Sequence, residues 1–518
     1  MHPCWPLREC AVLKRVPLRE RRLFAHCFDV FASRIQVNVL IWDRHPMRIS
    51  RYILPLVAAS LALVGCATGS HITLGTAPTQ TGTINMVMTD TPPTGVTPLS
   101  FTVTVTSAML NTGSTQVSIP TPTTPIEVTR LQTETGFLSS DTVALGNYTS
   151  LTLKFANPSL TFENNTGSAM TVNGTVCAKA AVCTVAPAAA NLTTTITLPS
   201  TIAVTNGSSD TLNVDLNLAN LFSATLSADF AAGSSVTIIS PTLGQTLPSF
   251  EDVVAEVTAV DTTHSTITIQ NSLGTSIATV NASTAFHDYP SSCKSTLATC
   301  VSAGQILSAN LALQSTAALI ATHLYFKDAT SSEPEVEGVI TSIDVPDQQF
   351  SMVVLDESAP TVSGLPIGSA ATVSTTGATF TADDMGMDTT GYLFSGVSDL
   401  MVGQEVSVLR DSTLSSGTSL TADRVLLRAS RIATTLTVPP ACPSLTISSL
   451  PSFISAAGTA QISILTSSTA SNGLTEFAGT ANACSAIPTH ASLSVRGQLF
   501  SVAGNGLPTL IASKVVTH

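Results

Sequence analysis

The run Phe101-Thr102-Val103-Thr104-Val105-Thr106 alternates apolar and hydroxyl side chains without a break. Successive side chains of an extended chain point to opposite faces, so this hexad fits a strand with one apolar and one threonine face, and it fits no helix. The same period recurs. Ile84, Met86 and Met88 alternate with polar or small partners before Thr89-Asp90-Thr91-Pro92-Pro93 ends the run. Ile126 and Val128 begin another strand, and Leu145-Gly146-Asn147-Tyr148 turns into Leu151-Thr152-Leu153-Lys154-Phe155. Thr195 to Leu198, Leu212 to Leu218 and Val236 to Ile239 follow. Branching at Cβ suits Thr, Val and Ile to a pleated surface. Many short strands with turn residues between them predict an all-β chain, with a β-sandwich over residues 81–245. A hydrophobic content of 44% is ample for packed cores, while only 10% of residues are charged, so Ser and Thr supply the polar surface.

Residues 250–518 carry a divergent internal repeat. Asp252-Val253-Val254-Ala255-Glu256-Val257-Thr258-Ala259-Val260-Asp261 parallels Glu335-Val336-Glu337-Gly338-Val339-Ile340-Thr341-Ser342-Ile343-Asp344. Gly304-Gln305 parallels Gly403-Gln404, and closing strands fall near Ala321-Thr322-His323-Leu324 and Ala422-Asp423-Arg424-Val425. A third copy ends with Gly497-Gln498-Leu499-Phe500 and Ala512-Ser513-Lys514-Val515, and its opening strand does not align. Copies over 250–330, 334–430 and 431–518 are too long for solenoid units. About five short strands in each suit two or three small barrels of the oligonucleotide/oligosaccharide-binding (OB) type.

The N-terminal region has a different grammar. Met47 is followed by Arg48 and Arg51, then by the apolar stretch Ile53 to Val64, then by Gly65-Cys66. The apolar stretch is too short to span a bilayer but long enough for the core of an export signal. Charge, apolar run and cysteine in this order resemble a bacterial lipoprotein signal. The resemblance implies cleavage between Gly65 and Cys66, acylation of Cys66 and a membrane attachment through that lipid. Residues 47–65 are then the signal, and 66–80 a Gly/Thr/Ala/Pro tether reaching about 45 Å when stretched. The Arg-rich residues 1–46 read as an over-extended N-terminus, with translation starting at Met47. Ala67 stands where inner-membrane lipoproteins carry a retention aspartate, so the analogy places the protein in the cell envelope, at the outer membrane.

Two further resemblances rest on short motifs. The opening strand with Thr89-Asp90-Thr91-Pro92, followed by Leu145-Gly146-Asn147-Tyr148 and a Leu/Phe strand, resembles the domain-of-unknown-function family 4382 over roughly residues 80–230. That family implies an envelope β-sandwich and no assigned activity. The Val-x-Gly/Glu-x-Ile/Val-x-x-Asp openings and Gly-Gln strands of the first two repeats resemble the domain-of-unknown-function family 5666, which also brings no chemistry.

Charge narrows the partners. The chain has 21 Lys+Arg and 33 Asp+Glu; ten and four of these precede Cys66, which leaves 11 and 29 and a net charge of −18. Such a chain is repelled by nucleic acid and by anionic lipid surfaces. Stable anchoring must come from the acyl chains, at roughly 0.8 kcal/mol per buried CH₂. Six cysteines follow Cys66, an even number that fits disulfides in an exported chain. Pairing sequence neighbours gives Cys177–Cys183, Cys293–Cys300 and Cys442–Cys484, one pair per proposed domain. No C-x-x-C occurs and no histidine stands at ligand spacing from the short pairs, so zinc is not expected.

Motifs for catalysis are lacking. Ser291-Ser292-Cys293-Lys294 fits a bare S-x-x-K without its partner motifs. No G-x-S-x-G elbow, H-E-x-x-H helix or P-loop is present, and no cofactor is implied. His287-Asp288 are adjacent, and neighbours on a strand face opposite ways. Asp383-Asp384-Met385-Gly386-Met387-Asp388 offers three carboxylates, part of a calcium shell. Glu333, Glu335 and Glu337 are expected to repel one another into solvent, and Tyr148, Tyr289, Tyr325 and Tyr392 to pack. The expectation is a non-catalytic envelope lipoprotein, not an enzyme, acting as a structural, adhesive or binding module toward an envelope protein or glycan. The alternatives are an envelope enzyme with an unrecognised site and a calcium-dependent binder.

Overall fold

Alternation along the chain builds two facing sheets. In order these use β1 (Thr81–Thr91), β2 (Pro98–Asn111), β3 (Gln116–Ile119), β4 (Ile126–Glu127), β5 (Gly136–Ala144) and β6 (Gly146–Glu163). A hairpin of β7 (Met170–Val172) and β8 (Thr175–Cys177) precedes β9 (Val182–Val185), β10 (Ala189–Ala190), β11 (Thr193–Val204), β12 (Ser209–Asn217), β13 (Ala228–Asp229) and β14 (Val236–Ile239). One sheet has the order β14-β12-β1-β5; the other is β11-β6-β2-β3, with β4 on β2 and β9 on β6. Ile84, Met86 and Met88 meet Phe101, Val103, Val105, Leu153 and Phe155 in the core between them. The Tyr148 hydroxyl donates to the Ala144 carbonyl at 2.8 Å, fixing the corner where β5 leaves one sheet and β6 enters the other.

These positions come from a computed structural model that describes residues 80–91, 98–122, 124–239, 249–271, 274–287, 297–314, 318–326, 335–357, 365–382, 387–409, 418–468, 475–501 and 506–518. Gly65, Cys66, the leader, the signal and most of the tether lie outside the described residues. The described residues all belong to the compact unit Ala77–His518.

Three barrel-like modules follow the sandwich. The first comprises β15 (Ser249–Asp261), β16 (Thr266–Asn271), β17 (Gly274–Thr279), β18 (Ala285–His287), β19 (Ile306–Leu313) and β20 (Leu319–Phe326). β15 pairs with β16 and β19, β16 with β17, and β17 with β20 in parallel, which closes the barrel. The second comprises β21 (Glu335–Asp344), β22 (Gln349–Glu357), β23 (Ala370–Ser374), β24 (Thr379–Ala382), β25 (Glu405–Leu409), β26 (Ser419–Thr421) and β27 (Arg424–Leu427). Here the closing strand is split into β26, which pairs with β23, and β27, which pairs with β25. The third comprises β28 (Ala429–Thr435), β29 (Ser444–Ile447), β30 (Ile462–Leu465), β31 (Glu476–Gly479), β32 (Ser492–Phe500) and β33 (Thr509–Thr517). It repeats the same pairings except one: β28 and β29 touch at a single bridge, Thr435↔Ser449, just beyond β29.

Shared details establish the register of the repeat. Thr258 and Thr341 sit at equivalent bulges and donate to the carbonyls of Thr268 and Ser351 at 3.3 Å. Just before β19 and β25, Gly304 and Gly403 adopt φ of +87° and +93°. The next carbonyl, of Gln305 or Gln404, accepts from Val257 or Ile340 at 2.8 Å. In the third module Leu436 donates to Ala491 at 3.0 Å, and His490 holds φ +68°. The counterpart of the Gly-Gln pair is therefore His490-Ala491, not Gly497-Gln498, which lies seven residues on. Gly497 is a glycine for another reason: a Cβ there would stand 2.0 Å from the Ile511 carbonyl oxygen. The opening strand that the sequence left unaligned is β28, which begins at Ala429, two residues before the expected boundary at 431.

Packing between modules buries faces expected to meet solvent. Val87, on the outer face of β1, joins the core of the first module with Phe137. Leu99 shares a core with Val339 and Leu355 of the second module and Leu436, Ile447 and Leu499 of the third. Thr102 is buried although Thr106, on the same face of β2, is exposed. The second module touches the sandwich at Gly368, whose carbonyl accepts from Thr161 Oγ1 at 2.6 Å and Thr184 Oγ1 at 3.1 Å.

Candidate functional site

The sandwich and the second and third modules meet at a buried cluster of charge. After β4 the chain turns through a 3₁₀ segment, Thr129–Gln132. Glu127 holds the start of that turn. Its Oε1 accepts from the Phe101 and Thr129 amides, both at 3.0 Å, and from Thr129 Oγ1 at 2.6 Å. Its Oε2 accepts from Ser100 Oγ. Burial nevertheless dominates these donors and pushes the Glu127 carboxyl up to about 7.

The turn points Arg130 at the second module. Arg130 Nη1 donates to Asp356 Oδ2 at 3.0 Å, and Nη2 lies 3.5 Å from Glu337 Oε1. Glu337 and Asp356 are cross-strand partners on β21 and β22, so one arginine faces both. Arg428, between β27 and β28, brings Nε to 4.0 Å from Glu337 Oε2. Arg431 on β28 pairs with Glu405 of β25 and with Glu134 of the sandwich. Its cross-strand partner Arg496 also reaches Glu134 Oε1, at 3.0 Å. Four arginines thus face four carboxylates, each side chain at most 9% exposed. Burial raises the Glu337 carboxyl to about 7 even against the Arg130 guanidinium, while the surrounding carboxylates raise Arg130. Burying such ions is costly unless each finds a counterion, and each of these eight side chains has at least one.

Two cavities flank this cluster. One, of about 350 Å³, lies over Arg130, Glu405 and Arg431, with Thr129, Thr434 and Thr435 in its walls. The other, of about 190 Å³, lies toward the first module and is more apolar, with Phe137, Phe250 and Leu311 in its lining. A third, of about 460 Å³, sits between Ala188–Ala190 and the segment 220–232 of the sandwich. The carboxylate in the first cavity, Glu405, is already held by Arg431 Nη1 and by the Arg431 amide at 2.9 Å. Neither histidine nor cysteine lines that cavity among the described residues.

The residues singled out from the sequence are scattered. Cys177 is bonded to Cys183 and Cys442 to Cys484. Cys300 is buried, and Cys293 lies outside the described residues with Ser291, Ser292 and Lys294. Asp383 and Asp384 are also outside; Asp388 is exposed and accepts from the Thr390 amide at 3.0 Å. Among the described residues no group of three or more His, Cys, Asp or Glu is placed to hold a metal ion, and no helix is long and apolar enough to cross a membrane. Of the histidines, His264 pairs with Asp261 at 2.7 Å on the surface. Asp288, the neighbour of His287, is outside the described residues. Tyr392 packs on Phe500 with ring centroids 5.0 Å apart.

One expectation is reversed. Glu335 and Glu337 are not in solvent: they are 1% and 0% exposed. The countercharge that permits this for Glu337 is Arg130, 207 positions earlier, together with Arg428, and no local pattern announces either. Asp90, in a segment expected to end its strand, is likewise buried within β1. Burial and the nearby Asp215 carboxylate hold its pKa well above the usual range.

Residues 81–231 match the family described as Domain of unknown function (DUF4382), which spans the sandwich to just short of β14. No curated protein and no solved structure matches the chain.

Proposed function

We propose that this is a non-catalytic binding protein of the bacterial cell envelope, anchored to the outer membrane by lipid at Cys66. The observation that carries the reading is the junction. Its arginines pair with carboxylates across the three units and tie the sandwich to two barrels around a cavity with Thr and Ser in its lining, an arrangement suited to a rigid binding body. The signal-like order from Met47 to Cys66 and the acidic balance of the chain support an exported, lipid-held protein. The Val-x-Gly/Glu-x-Ile/Val-x-x-Asp openings and Gly-Gln strands of the first two barrels support kinship of those two with the domain-of-unknown-function family 5666.

Two measurements test this reading. Mass spectrometry of the protein from its native envelope is expected to find an acylated Cys66 at the mature N-terminus; an intact chain with an unmodified thiol defeats the anchor. Affinity capture of the lipidated protein, against Cys66→Ala, is expected to return a repeatable envelope partner. Turnover of envelope polymers by the purified chain would replace the binding role with an enzymatic one.

A further inference from the structure

The seam between the first two barrel strands is zipped in two modules and parted in the third. β15 and β16 share five paired positions and β21 and β22 share eight. In the third module the seam keeps the Thr435↔Ser449 bridge and a bond from Thr434 Oγ1 to the Ser449 carbonyl at 2.5 Å. The 350 Å³ cavity occupies the parting: Ala433, Thr434 and Thr435 form one side, and residues from Ser449 to Phe453 form the other. The sandwich and the second module roof it with Pro98, Thr129 and Glu405.

We propose that this parted seam binds a neutral, hydroxyl-rich ligand of saccharide size. The proposal rests on the binding role given above and names its ligand class. The volume falls at the lower end of small-ligand sites, about 300–1,000 Å³. The charged residues in its lining, Arg130, Glu405 and Arg431, are each ion-paired within the protein, so the site favours neither an anion nor a cation. What remains for recognition is a set of Thr, Ser and Gln side chains, among them Thr129 and Thr434, whose hydroxyls already donate to Glu127 and to the Ser449 carbonyl and so can accept from a ligand, with Phe453, two prolines and three leucines as apolar surface. Hydroxyls beside a small apolar face match a sugar, which carries both.

Strand geometry argues against a peptide. Leu436 bonds toward β32, so by alternation the odd-numbered residues of β28 turn their backbone groups to the seam. The Arg431 amide is bonded to Glu405 Oε1, and Thr435 bridges to Ser449. Only Ala433 is left between them, and a single residue is too short an edge for strand addition.

The test is calorimetric titration of the full chain, lipidated and as Cys66→Ala, with maltose and with N,N′-diacetylchitobiose. A glucuronate-containing disaccharide and trialanine serve as comparisons. We expect one of the neutral disaccharides to bind both forms, and Ala433→Phe, which fills the cavity, to weaken binding at least about tenfold. Amide exchange at 433–435 and 449–453 of the unaltered protein is expected to slow with bound sugar, a readout that does not depend on the variant folding. Failure of both neutral sugars, tighter binding of the acidic sugar or of trialanine, or protection elsewhere overturns the proposal. Absence of sugar binding in a correctly acylated protein removes this ligand and leaves the envelope role, whereas sugar binding by an unacylated native protein does the reverse.

Discussion

Arg130 and Asp356 stand 226 positions apart in sequence and 3.0 Å apart in space, and their bond crosses from the sandwich to the second barrel. Arg130→Met would leave Asp356 and Glu337 buried without this cation. Removing one partner of a buried pair costs about 3–5 kcal/mol. We therefore expect a clear drop in the urea midpoint of unfolding. Arg130→Met combined with Asp356→Leu should recover part of the loss, because Glu337 keeps Arg428 as its counterion.

Glu127 predicts a pH dependence of defined sign. Its carboxyl titrates near 7 in the fold and near 4.5 when unfolded, so between these values the native state holds a proton that the unfolded chain has released. Stability attributable to this group therefore falls as pH rises from about 4.5 to about 7, by up to about 3 kcal/mol. Glu127→Gln copies the protonated acid: its amide nitrogen can donate to Ser100 Oγ while its oxygen still accepts from Phe101 and Thr129. Thermal unfolding of this variant between pH 5 and pH 8 should show a flatter profile than the parent, and an unchanged slope would place the pH response elsewhere.

The two disulfides should differ in weight. Cys442–Cys484 closes a loop of separation 42 and Cys177–Cys183 one of separation 6. Loop-closure entropy assigns about 4 kcal/mol to the first and about 2 kcal/mol to the second. Double alanine replacement at 442 and 484 should lower the melting temperature more than the replacement at 177 and 183. Equal losses would show that local packing, not chain entropy, governs both.

Gly497 and Gly396 form a matched pair of tests. A Cβ on Gly497 would overlap the Ile511 backbone, which cannot swing aside as a side chain does, whereas nothing lies within 4 Å of one on Gly396. Gly497→Ala should cost about 1–3 kcal/mol and loosen amide exchange along β32 and β33. Gly396→Ala should change stability by less than about 0.5 kcal/mol.

Much of the architecture was legible in local pattern. Period-2 alternation located β1, β2 and the strand after Tyr148, and neighbouring cysteines gave Cys177–Cys183 and Cys442–Cys484. The third repeat slipped by seven residues because its turn before β32 uses His490 at positive φ, where the other copies use glycine. The opening strand β28 was missed because Arg431 interrupts its apolar pattern with a charge.

Strand placement follows from side-chain alternation and turn chemistry, which act over a few neighbouring residues, so the chain alone determined an all-β fold with a sandwich and repeated barrels. The junction was decided by tertiary structure. Whether Glu337 faces water or lies buried depends on Arg130 and Arg428 reaching it, and a charge is tolerated in the interior only once distant parts of the chain bring its counterion there. That the parted seam beside β28 encloses a cavity is equally a property of packing, since Pro98 and Thr129 of the sandwich and Glu405 of the second module form part of its wall.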